Sequence, residues 1–237
     1  MVFGSTTRRP ELIGHRGAPR DRPENTLASF ARALELGADA IELDVHATRE
    51  GVVVVHHDPS VPTVDRDGGT RQLRIAGSTL NEIGRAAGDA SAKIPTLREV
   101  LDLVAGRATV YVEIKGAAIE EQVVSCVRES ATRCAVHAFD HRVARRVHAL
   151  APEIPVGVLL SSYVLDPART MREAGARDLW QQWDLIDEPL VADVHRSGGR
   201  LVAWTVNDTA AARLLAGWGV DALCTDTVPD LRAAFAG

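Results

Sequence analysis

The chain has 237 residues, 46% of them hydrophobic and 25% charged, which suits a globular protein with one sizeable core and excludes extended disorder. A formal net charge of -5 excludes the broad basic face that non-specific nucleic-acid binding needs, while leaving room for one local basic cleft. Cys126, Cys134 and Cys224 are scattered and odd in number, which excludes a disulfide framework, and the longest aliphatic run, Val52 to Val55, is far too short to span a membrane.

Near the N-terminus, Arg8-Arg9 precedes no apolar run, so no signal peptide or twin-arginine leader is expected and the cytoplasm is the expected compartment. Leu12-Ile13-Gly14 reads as a first strand. Asn25 or Thr26 caps a helix through Leu27, Phe30, Leu34 and Leu36 that ends at Gly37. Ala40 to Val45 is a second strand, and Val52 to His56 a short extension after it. Residues 59–95 break the rhythm: Pro59, Pro62, Asp65, Asp67, Gly68 and Gly69 are turn chemistry, and Ser78 to Ala86 is at best a short helix. The segment reads as a small βα-loop insertion within one barrel domain covering 1–237. Thr96 caps the next helix, through Val104. Further strands are expected at Thr109–Ile114, Ala135–Ala138, Val156–Leu160, around Leu179, at Leu201–Trp204 and at Ala222–Cys224. Helices are expected at Ile119–Ser130, Arg142–Leu150, Pro167–Ala174, Pro189–Ser197, Thr209–Trp218 and Pro229–Phe235. Eight strands alternating with helices predict an α/β protein, a single TIM-type (β/α)₈ barrel with a small insertion after the second strand.

Barrels place their chemistry at the C-terminal ends of strands, and polar residues collect there. His15-Arg16-Gly17 closes the first strand, although the tripeptide alone also fits a loop with a solvated arginine. Glu42 and Asp44 stand two apart on the second strand and so share a face. Two carboxylates on an inner face repel unless a cation lies between them; an exposed edge strand is the alternative. Glu113 and Lys115 repeat the spacing on the third strand. Three oxygen-bearing side chains from adjacent strands suit one hard divalent cation, Mg²⁺ or Ca²⁺, and the lack of a tight His/Cys cluster argues against structural zinc. Among 27 basic residues only Lys93 and Lys115 are lysine, and a compact ammonium suits a phosphate oxygen in limited space. Of His56 and His57 only one points inward, and His57, beside the loop, is the better candidate. With His15 it supplies two imidazoles, one to deprotonate an attacking group and one to protonate a leaving alkoxide. His46, His141, His148 and His195 lack such neighbours and are assigned to surface or helix positions.

Taken in order, His15-Arg16-Gly17, Pro23-Glu24-Asn25-Thr26, Glu42-x-Asp44, His57-Asp58, Ile94-Pro95-Thr96-Leu97, Glu113-x-Lys115, Trp204-Thr205-Val206-Asn207 and Thr225-Asp226 resemble the glycerophosphodiester phosphodiesterase family across nearly the whole chain. The resemblance implies a barrel that hydrolyses glycerophosphodiesters, small-molecule substrates, to sn-glycerol 3-phosphate and an alcohol. It implies His15 and His57 as the general acid/base pair and Glu42, Asp44 and Glu113 as ligands of the cation. Arg16 and Lys115 would hold phosphate oxygens, Trp204 would wall the glycerol, and the 59–95 insertion would shape the pocket. Nucleic acid and stable membrane insertion form no part of this expectation. The oligomeric state, the division of labour between the histidines, and the nucleophile (water or the glycerol 2-hydroxyl) stay open.

Two departures stand out. Many relatives have a polar-Ser-Phe sequence after the fourth strand where this chain has His137-Ala138-Phe139, which either alters alcohol preference or is neutral. Arg66, Arg71 and Arg74 make the insertion arginine-rich, either biasing the pocket toward anionic head groups or serving as solvated loop charge. Competing readings are a lysophospholipid or other phosphodiester hydrolase of the same barrel type, a non-catalytic barrel binding phosphorylated metabolites, and an aldolase or isomerase barrel, which has no need of the histidine pair.

Overall fold

The structure, a computed structural model, describes residues 9–64, 67–86 and 93–236. Strand β1 (Glu11–Gly14) leads into α1 (Leu27–Glu35) and β2 (Ala40–Ala47), followed by β3 (Val53–Val55), β4 (Ser60–Val64), β5 (Thr70–Arg74) and α2 (Leu80–Ala86). Helices and strands then alternate: α3 (Leu97–Val104), β6 (Thr109–Ile114), α4 (Glu120–Arg128), β7 (Cys134–Ala138), α5 (His141–Leu150), β8 (Val156–Leu160) and α6 (Pro167–Ala174). The alternation continues through β9 (Asp178–Gln182), α7 (Glu188–Arg196), β10 (Arg200–Trp204), α8 (Thr209–Trp218), β11 (Ala222–Thr225) and α9 (Val228–Ala234). Strands β1, β2 and β6 to β11 pair in parallel with their neighbours, and β1 pairs with both β2 and β11. The sheet therefore closes on itself as the expected (β/α)₈ barrel.

Side-chain alternation along each strand separates two cores. Leu12, Ile41, Leu43, Val110, Val112, Val136, Val158 and Leu223 point outward to the helices. Ile13, Ala40, Tyr111, Ala135, Leu159, Trp180, Val202 and Ala222 fill the barrel. All eight residues of β2 are consequently buried, as a strand covered on both faces requires. Helix α1 turns Phe30 and Ala33 onto the sheet, and a fully buried phenylalanine stabilises by about 1.5–3 kcal/mol. Side-chain caps start several helices: Thr26 on α1, a Thr96/Glu99 capping box on α3, and Asp140, Asp166, Asp187 and Asp208 on α5 to α8. These caps lie in the loops that follow the strands, so they also fix the rim of the barrel mouth.

The sixth barrel strand, expected around Leu179, is fully formed and pairs with both β8 and β10. Two regions differ from expectation. The Val52–His56 extension is a strand in its own right, β3, running antiparallel to β2 outside the ring. The insertion contains a β4–β5 hairpin over a satellite core of Val54, Val61, Ile75, Ile83 and Ile94. Pro62 argued for a turn, yet a two-stranded hairpin consists of edge strands, which tolerate proline. Arg71 and Arg74 are exposed, whereas Asp65 and Arg66 lie outside the described residues. Among the described residues no helix is long and apolar enough to cross a membrane.

Candidate functional site

At the top of β1 the chain turns through Arg16 and Gly17, with φ of 52° and 91°. This turn aims the Arg16 backbone N–H at Glu42 Oε2 (3.1 Å) and leaves His15 at the mouth. His15 Nδ1 lies 2.8 Å from Asp226 Oδ1, directly after β11. An ionised carboxylate only accepts, so Nδ1 carries a hydrogen, and Nε2 is the nitrogen left to exchange a proton. Asn207 holds Asp226 in place: its Nδ2 donates to Asp226 Oδ2 (2.7 Å) and its Oδ1 accepts from the Asp226 backbone N–H (2.9 Å). Burial acts to raise the Asp226 pKa, but hydrogen bonds from His15 and Asn207 outweigh it and the carboxyl sits below its ordinary value.

His57 follows β3 and is more exposed. Its Nδ1 lies 2.8 Å from Asp58 Oδ1, which fixes the same tautomer as in His15, and it acts electrostatically on both Asp44 and Glu113. His46 needs a correction. It is neither a surface nor a helix residue but a buried member of β2, and its Nε2 donates to the His57 carbonyl (3.1 Å). Position 46 continues the inward series of 42 and 44, so the alternation that placed the carboxylates also buries this ring. His141, His148 and His195 lie on helices as expected.

Glu42, Asp44 and Glu113 are all buried inside the barrel, and β2–β6 register sets Asp44 opposite Glu113. Asp44 Oδ2 pairs with Arg16 Nε (3.1 Å) and accepts from Asn25 Nδ2 (2.9 Å). Lys115 Nζ lies 2.8 Å from Glu113 Oε1 and 3.4 Å from Asp44 Oδ1. Burial raises the Asp44 pKa, but Arg16, Lys115 and Asn25 outweigh it and leave the group below its usual value. Burial and then Asp44 push Glu113 up. Glu42, lacking a side-chain cation of its own, is driven well up by burial and by its two acidic neighbours.

His137 on β7 stands in register beside Glu113, points into the same interior and is 1% exposed. Its ring stacks on Trp180 at 4.2 Å between centroids, with planes 6° apart. Burial drops its pKa to about 3, so the ring is neutral. One ligand atom from each of Glu42, Glu113 and His137 falls within 4.8 Å of the others; Asp44, expected as a ligand, is outside that set. Arg16 Nη1 also pairs with Glu24 Oε1 (2.9 Å), so Arg16 and Lys115 face four carboxylates, and a divalent cation would offset the excess of acidic groups. Among the described residues Asp44 Oδ1 is buried without a hydrogen-bond partner, its contact with Lys115 Nζ being an ion pair at 3.4 Å, so the residues present fit a cation.

Trp204, at the end of β10, meets Phe139 edge-on at 5.5 Å, and Lys115 Nζ lies 5.9 Å from the Phe139 ring centre. Aromatic faces and basic groups thus border the same acidic floor. The opposite end of the barrel carries a cavity of about 730 Å³, but Arg9 pairs there with Asp39 and Arg200 with Glu11. Charges neutralised at the N-terminal face serve stability.

All eight expected site residues lie at the mouth. Asn25, Asn207, Asp226 and His137 complete it, with no acid/base or ligand role evident for them in sequence. The first three stand inside the motifs quoted above. Of the two cap candidates, Thr26 takes the position and Asn25 turns inward.

The chain matches the model of the "Glycerophosphoryl diester phosphodiesterase family" over residues 15–230. It is 33% identical over 226 residues to a glycerophosphodiester phosphodiesterase from Caldanaerobacter subterraneus, covering 91% of this chain and 93% of that one. The fold is similar to that of a glycerophosphodiester phosphodiesterase from Agrobacterium tumefaciens, with a TM-score of 0.80, 28% identity and coverage of 94% and 99%. It is also similar to an Oleispira antarctica phosphodiesterase in complex with sn-glycerol-3-phosphate, with a TM-score of 0.85, 24% identity and coverage of 97% and 98%.

Proposed function

This chain belongs to the glycerophosphoryl diester phosphodiesterase family, and from that premise we propose that its barrel mouth hydrolyses glycerophosphodiesters to sn-glycerol 3-phosphate and an alcohol by two-histidine catalysis with one divalent cation. The protein is a phosphoric diester hydrolase acting on a small-molecule substrate. The observation that carries the mechanistic reading is the pair His15 and His57, each held on a carboxylate through Nδ1 beside one charge-unbalanced acidic cluster.

Arg16 and Lys115 hold non-bridging phosphate oxygens and offset charge building up in the transition state. One imidazole takes a proton from the attacking hydroxyl at Nε2, and the other, entering the step as an imidazolium, gives its Nε2 proton to the departing alkoxide. Glu42, Asp44 and Glu113 would hold the cation, which when bound would supply Lewis-acid polarisation of the phosphoryl group and offset the buried carboxylates. Trp204 and Phe139 wall the glycerol. The product held by the Oleispira antarctica enzyme is consistent with this assignment.

The test is release of sn-glycerol 3-phosphate from glycerophosphocholine. His15→Ala and His57→Ala are each expected to lose about 10²- to 10⁴-fold in kcat while keeping the fold. Chelation abolishes turnover, and Mg²⁺ or Ca²⁺ restores it. Near wild-type activity in either variant removes the acid/base assignment, and full activity in excess chelator removes the cation. One observation favours a second reading. Phe139, Tyr163, Leu165 and Trp183 are all exposed on loops following β7, β8 and β9, giving the mouth apolar groups suited to a lysophospholipid. Comparing glycerophosphocholine with lysophosphatidylcholine as substrates separates the two.

A further inference from the structure

We propose that His137 ligates the cation through Nε2 beside Glu42 and Glu113, giving this site a preference for imidazole-accepting transition ions such as Zn²⁺ or Co²⁺ over Mg²⁺ and Ca²⁺. The proposal rests on the reading that the site holds a cation and adds a ligand of different chemistry. His137 Nε2 stands 3.8 Å from Glu42 Oε1, too far for a hydrogen bond. Two ligands at about 2.0–2.2 Å from one ion, separated by roughly 90–130°, lie about 3–4 Å apart. The observed gap falls within that range.

The ring is 1% exposed, and among the described residues its Nδ1 is buried without a hydrogen-bond partner, which leaves Nε2 as the nitrogen that faces Glu42. Its orientation is set independently by the Trp180 stack. Gly157 makes the stack possible, because a Cβ there would lie 2.9 Å from Trp180 Cδ1 and 3.2 Å from His137 Cβ. Trp180 thus takes over the orienting task that a hydrogen bond on the second ring nitrogen performs in most histidine ligands. Hard Mg²⁺ and Ca²⁺ favour oxygen ligands, whereas imidazole suits Zn²⁺ and its neighbours, so one nitrogen among carboxylates shifts selectivity.

The full chain, stripped of metal, is loaded with Zn²⁺ for X-ray absorption and titrated separately with Zn²⁺ and Mg²⁺ by calorimetry. The expected wild-type spectrum contains imidazole scattering. His137→Ala is expected to weaken Zn²⁺ by about 10- to 100-fold while changing Mg²⁺ affinity less than about threefold. An oxygen-only shell in wild-type protein overturns the assignment without recourse to any variant, as does equal weakening of both ions. Metal-dependent hydrolysis accompanied by an oxygen-only shell leaves the proposed function standing and removes only His137. Absence of any metal binding removes both.

Discussion

Asp226→Asn isolates the contribution of His15 positioning. Asp226 accepts from His15 Nδ1 on one oxygen and from Asn207 Nδ2 on the other. Asparagine has a single side-chain oxygen, so one of these two donors must face an NH₂ group. Either the imidazole is forced into the opposite tautomer or Asn207 loses its grip. A hydrogen bond to a charged partner contributes about 1.5–3 kcal/mol, and about 1.36 kcal/mol is tenfold in rate, so kcat should fall about 10- to 150-fold. The two side chains are 21% and 23% exposed, which lets water replace part of the lost bond and favours the lower half of that range. The assay is steady-state release of sn-glycerol 3-phosphate, with the thermal midpoint as a fold control. KM should stay within about threefold, because Asp226 touches the histidine rather than the phosphate groups. A well-folded variant with kcat within about twofold of wild type would refute the positioning argument.

The equivalent substitution on the other histidine, Asp58→Asn, should cost less than about fivefold in kcat, because Asp58 is 67% exposed and exposed pairs contribute only about 0.2–1 kcal/mol. A larger loss than in Asp226→Asn would invert that ranking. Glu42→Gln should stabilise the chelated protein. The folded pKa of Glu42 is raised by burial, Asp44 and Glu113, so its protonated form supports the fold below the ordinary carboxyl range. That support is lost as pH rises through the raised value. The thermal midpoints of variant and wild type should therefore converge in acid and separate upward through neutral pH, by about 2–4 °C per kcal/mol. Added divalent cation should remove the advantage, and a lower midpoint for Glu42→Gln at neutral pH in chelator contradicts the sign.

Much of this protein is determined locally. Strand and helix follow from hydrophobic period, the Thr96/Glu99 capping box was fixed within four neighbouring positions, and the two-residue spacing of Glu42 and Asp44 dictated a shared face. That same period puts His46 inward as well, although no clustered partner in sequence marks it. Other features belong to the closed barrel alone. Asp226 reaches His15 across 211 residues because β1 pairs with β11, and local periodicity carries no information about ring closure. His137 joins Glu113 through β6–β7 register, and its ring plane depends on Trp180 and on the space left by Gly157. The sequence determined which side chains face inward; barrel closure and strand register decided which of them meet, because those distances depend on pairing between strands far apart in the chain.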